Sequence, residues 1–169
     1  MTMKTRLLFL GVAVAAVALA QPLGAANDSK TVTVTAVVGA SAQLELSRLT
    51  VAFPDTPDVD ANPSIPATGG AITITAKGKT TGGATITLTV QASGDLVSGS
   101  DTIAISNVTW VGSGAGYATA GTMSTTAQSV GSWTNSGSRS GTQTFALANS
   151  WDYVVGNYSA SAVYTLTAP

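Results

Sequence analysis

Apolar side chains recur at every second position along most of this chain, and that period leaves little choice of secondary structure. Thr31-Val32-Thr33-Val34-Thr35-Ala36-Val37-Val38 alternates threonine with aliphatic residues. The pattern returns in Ala71-Ile72-Thr73-Ile74-Thr75, in Thr85-Ile86-Thr87-Leu88-Thr89-Val90 and in Thr142-Gln143-Thr144-Phe145-Ala146-Leu147. Successive side chains of a strand point to opposite faces, so a period of two marks a β-strand buried on one side. Shorter runs extend the set: Gln43-Leu44-Glu45-Leu46, Leu49 to Phe53, Thr102 to Ile105, Val108-Thr109-Trp110 and Tyr158 to Leu166. No helical period competes with them. The spacing predicts an all-β domain of about seven to nine short strands, folded as a two-sheet antiparallel sandwich or a barrel. Two long connections interrupt it. Pro54 to Gly70 is rich in proline, and Gly112 to Gly141 is rich in Gly, Ser and Thr, with Val130 and Trp133 marking a short strand inside it.

Composition narrows the chemistry. Thr, Ser and Gly fill 62 of the 169 positions, whereas charged residues make up only 9%. Cys and His are both absent. That excludes a disulfide framework, a cysteine nucleophile, and a histidine base or metal ligand. Seven basic residues, thinly spread, do not make a nucleic-acid footprint, which needs clustered Lys and Arg. Serine and threonine nucleophiles need a base, and no Ser-x-x-Lys motif or Gly-x-Ser-x-Gly elbow supplies one. The expectation is a protein that is not an enzyme and takes no cofactor.

The chain starts with an address. Lys4 and Arg6 precede fourteen apolar residues, Leu7 to Ala20, and Gln21 and Pro22 then stop the run. A spanning helix needs about 20 apolar residues, so the layout is that of a secretory signal peptide. Gly24-Ala25-Ala26 places small residues for cleavage before Asn27, with Ala18-Leu19-Ala20 as a second candidate. The expected organisation is a signal peptide over 1–26, an N-terminal strand over 27–40 and a sandwich domain over 41–169, exported to the cell surface or beyond.

Candidate sites are few. Asp55, Asp58 and Asp60 offer hard oxygen ligands that would suit calcium. They lack the spacing of a calcium loop, and aspartate is also an ordinary turn former, so no metal is expected there. Eight of the ten aromatics fall between Trp110 and Tyr164. Most suit the core. Trp133 and Trp151, near loops, are the candidates for a sugar-stacking platform.

The order of features carries a resemblance. A signal peptide is followed at once by the alternating strand Lys30 to Val38, a small-residue link Gly39-Ala40-Ser41-Ala42, then Leu44-Glu45-Leu46 and Leu49 to Asp55. The chain closes with a Gly156-Asn157-Tyr158 turn and a strand reaching almost to Pro169. This layout resembles bacterial fimbrial subunits of the spore coat U and archaic chaperone–usher type over most of the mature chain, although such subunits commonly carry a disulfide. The resemblance implies an immunoglobulin-like β-sandwich completed by a donor strand from a neighbouring subunit. It also implies a head-to-tail homopolymer, with a periplasmic chaperone and an outer-membrane assembly protein as partners. Val32, Val34, Ala36 and Val38 share one face of the candidate donor strand and are the expected subunit interface. The same strand could instead be the first strand of its own domain. A secreted carbohydrate-binding module is the alternative function.

Overall fold

The strongest alternations from Ala71 onward become the middle of two packed sheets. In the computed structural model residues 28–169 are described; the expected signal peptide and Asn27 lie outside the described residues. In chain order the strands are β1 (Ser41–Leu46), β2 (Ser64–Pro66), β3 (Ile72–Lys79), β4 (Thr85–Ala92), β5 (Leu96–Ser98) and β6 (Asp101–Ile103). After a single 3-10 turn come β7 (Val108–Ser113), β8 (Ala120–Thr122), β9 (Gln128–Thr134), β10 (Gly137–Ala148) and β11 (Ala162–Thr167). One sheet runs β1-β3-β10-β7-β8, with β2 also on β10. The second runs β11-β4-β9, and β5 with β6 forms a small hairpin. Every pairing is antiparallel. The architecture is an all-β sandwich with no closed barrel.

Alternation explains which side chains face inward. β3 buries Ile72, Ile74, Ala76 and Gly78 and turns Thr73, Lys77 and Lys79 outward. β4 answers from the other sheet with Ile86, Leu88, Val90 and Ala92. β9 breaks the period. Its register against β4 shifts between Leu88 and Thr89, leaving Val130 as an extra residue. Such a bulge lets residues three apart share a face, so both Val130 and Trp133 enter the core.

Tyr117 locks one flank of the sandwich. Its hydroxyl donates to the carbonyls of Ile74 and Arg139, each at 3.2 Å, and its ring stacks on Trp133 at 6.0 Å. Beside it, Ala118 N donates to Val130 O and Ser132 N to Gly116 O, both at 2.8 Å, tying the two sheets together. The ring fits because residue 141 is glycine: a Cβ there would lie 2.5 Å from it.

Three short strands, β2, β5 and β8, exceed the sequence expectation. Each has only three residues, too few to show a period. Leu49 to Phe53, expected as a strand, is a connection; Thr68 N donates to Ala52 O at 2.8 Å, but no ladder forms. The expected N-terminal strand also differs. Residues 28–36 fall outside the compact unit that Val37–Pro169 form. Residues 28–40 contribute no strand, and every one of them is exposed. A strand exists only by pairing, and alternation alone does not make one of this segment.

Replacing Gly141 with Ala should cost about 1–3 kcal/mol by overpacking against Tyr117. Urea unfolding of the purified domain measures it as a lower midpoint with an unchanged slope.

Candidate functional site

A two-sheet sandwich has two flanks, and here only one is closed. β8 and β9 are joined through the residues around Tyr117. On the opposite flank lie β1 and β11, each paired on one side only, β1 with β3 and β11 with β4. Their Cα traces approach within 8 Å in places, yet no ladder joins them. Both edges therefore present backbone N–H and C=O groups without strand partners.

The side chains along this seam are incompletely covered. Leu44 and Leu46 of β1 stand opposite Ala76 and Ile74, and Tyr164 and Leu166 of β11 opposite Val90 and Leu88. Those four partners are at most 1% exposed, whereas Leu44, Leu46, Tyr164 and Leu166 are only half-buried. The core thus reaches solvent along one line, about six residues long. A strand seated in a full ladder with both edges needs about 9–10 Å between them, twice the interstrand spacing. Where the traces lie within 8 Å, the seam has to open by at least about 1–2 Å.

A polar contact crosses behind the seam. Tyr164 donates its hydroxyl to Gln143 Oε1 at 2.5 Å, linking β11 of one sheet to β10 of the other. Gln143 is 1% exposed and its Nε2 has no hydrogen-bond partner among the described residues. Burial pushes the Tyr164 phenol up to about 12. Sequence reasoning did not single out this pair. The signal was a glutamine standing in the buried phase of an otherwise apolar alternation.

The structure distributes the sequence candidates unevenly. Val32, Val34 and Val38 are 81%, 89% and 74% exposed, and Ala36 is exposed too. Asp55, Asp58 and Asp60 belong to no cluster of three ligands among the described residues. Asp58 instead accepts from Ala61 N at 3.0 Å, as a turn former does. The pairing of Trp133 with Trp151 as a sugar platform is corrected. Trp133 is 7% exposed, drawn into the core by the bulge, whereas Trp151 is 67% exposed with its Nε1 donating to Asp60 Oδ1 at 3.4 Å.

The fold and seam together define an antiparallel β-sandwich with one unclosed flank. No protein-family model matches the chain, and no curated protein is significantly similar to it.

The folded state holds the Tyr164 proton more tightly than the unfolded chain, whose tyrosines titrate near 10. This stability is present in full below pH 10 and is lost as pH rises towards 12. A shift of about two units corresponds to about 2–3 kcal/mol. The stability of Tyr164→Phe should therefore fall less than that of the wild type across this window in pH-dependent urea titrations.

Proposed function

We propose that the chain is an exported, non-enzymatic structural subunit of an extracellular filament, assembled by strand addition between copies. The open seam between β1 and β11 carries this reading. It offers two unpaired edges and a line of half-buried apolar side chains. Immediately before β1 stands a segment with the complementary pattern and no strand of its own, Val32, Val34, Ala36 and Val38 alternating with threonine. Strand addition gains main-chain hydrogen bonds, and alternate side chains fill the groove. Burying each valine contributes about 1.5–3 kcal/mol. One copy's segment in the next copy's seam is a heterologous contact, which propagates as an open filament.

The resemblance to spore coat U and archaic chaperone–usher subunits supports the same reading. It supplies the remaining partners, a periplasmic chaperone to cover the seam before assembly and an outer-membrane assembly protein. A second reading, a secreted carbohydrate-binding module, is favoured by the exposed Trp151 ring beside Asp60. Loss of glycan binding in Trp151→Ala, with no filaments from the wild type, would select it.

Val34→Asp places a carboxylate where the groove is apolar, and its desolvation cost exceeds what the valine contributed. Polymerisation should fail while the monomer's melting temperature stays put, because Val34 lies in no strand of its own domain. Deleting residues 27–38 should leave an acceptor that a synthetic peptide of residues 27–40 stabilises in trans. Unfolding of the Val34→Asp monomer, or a peptide without effect, would contradict strand addition.

A further inference from the structure

Most charges of the sandwich lie towards one or other of its two ends; Glu45, opposite Thr75, and Arg48, which donates to the carbonyls of Thr68 and Gly70, lie between them. The register defines one end by Ser41 opposite Lys79 and by Ser138 opposite Lys77. Arg139 follows on β10, and the turns beyond, Thr80 to Ala84 and Asn135 to Ser136, carry no charge. The carboxyl groups nearest it are Glu45, opposite Thr75 on β3, and the Pro169 terminus, which accepts from Thr80 Oγ1; no aspartate lies there among the described residues. The other end is set by β10 finishing at Ala148, opposite Ser64. There Asn149 Nδ2 donates to the carbonyls of Thr56 and Asn62, at 2.9 and 3.1 Å. That pins the loop bearing Asp55, Asp58 and Asp60, and Asp152 follows close behind. Asp95 joins them by accepting from Ile105 N at 2.8 Å, just before β7. None of these groups takes part in an ion pair among the described residues. β10 has twelve residues, so the two ends stand about 40 Å apart. That distance is several Debye lengths, so within one copy the two ends do not neutralise each other.

We infer that the lysine end of one copy docks on the aspartate end of the next, so that charge fixes the polarity of the filament. This rests on the strand-addition reading. The chain enters the domain at Ser41, at the lysine end, so a donor segment that ends at Val38 reaches only a copy seated at that end. Of that copy's two ends, the aspartate end offers the concentrated opposite charge, and like ends repel. Opposite charges also steer the encounter before any strand is exchanged.

The absence of cysteine makes the contact directly readable. One exported full-length chain carries Thr81→Cys at the lysine end, and a second carries Ala61→Cys at the aspartate end; both positions are exposed. Disulfide cross-linking of the unlike pair should exceed that of either like pair by about tenfold. It should fall as NaCl is raised from about 0.1 to about 1 M, which shortens the Debye length from about 10 to about 3 Å. Adding Lys77→Glu and Lys79→Glu to the first chain should abolish the excess, as should Asp55→Lys and Asp60→Lys in the second. Mixing the two reversed chains should restore it. Unchanged melting temperatures would show that the reversals spare the fold. Equal cross-linking of like and unlike pairs, or indifference to the reversals, would overturn the inference. The underlying reading has its own arm: Val34→Asp in the first chain should reduce the unlike cross-link, and a cross-link unaffected by Val34→Asp would count against strand addition while leaving the charge result to be judged separately.

Discussion

The edge of a β-sheet is the constraint on which this molecule turns. Each outermost strand leaves every second backbone group without a strand partner, and each flank of a sandwich exposes the rim of the core. The protein closes the β8–β9 flank with buried rings, a bulge and hydrogen bonds between the sheets. On the β1–β11 flank Tyr164 bonds Gln143 behind the edges, but no ladder joins the edges themselves. Leu44, Leu46, Tyr164 and Leu166 remain half-buried there, although their partners one strand further in are sealed. A domain without disulfides depends on burial and hydrogen bonding alone, so an open flank costs it stability in isolation. The same flank is what a strand from another copy would complete.

The central strands were legible because their environment matches their pattern. β3, β4 and β10 have one face on the core and one in solvent, so period 2 survives intact in their sequences. Legibility failed where tertiary context sets the structure. β2 and β8 are three-residue pairings made by a neighbour, not by propensity. Trp133 was read as a loop-side tryptophan because the bulge at Val130 cannot be seen in a one-dimensional pattern. The segment before β1 is the reverse case: its alternation is as strong as that of β4, yet it forms no strand. Pattern specifies a compatible conformation, and only a partner makes it a strand.

The candidate site was half legible. Val32, Val34, Ala36 and Val38 stand out in the sequence as one face, but the groove that suits them is a property of topology. Nothing in Ser41–Leu46 or Ala162–Thr167 announces that these two strands lie at facing edges. Charge followed the same rule. The sequence shows how few ionisable residues there are, and the fold gathers most of them, Glu45 and Arg48 apart, towards one end or the other. Sparse charge leaves broad threonine-rich faces neutral, so the two ends dominate the field around the domain.

The most direct measurement of the central claim is hydrogen exchange followed by mass spectrometry, on dilute monomer and on assembled material. If one copy's segment completes the next copy's seam, amides of residues 31–38 exchange rapidly in the monomer and become protected on assembly. Amides along β1 and β11 gain protection in the same step. Protection of residues 31–38 already present in the dilute monomer, or assembled material in which they still exchange freely, would contradict the account.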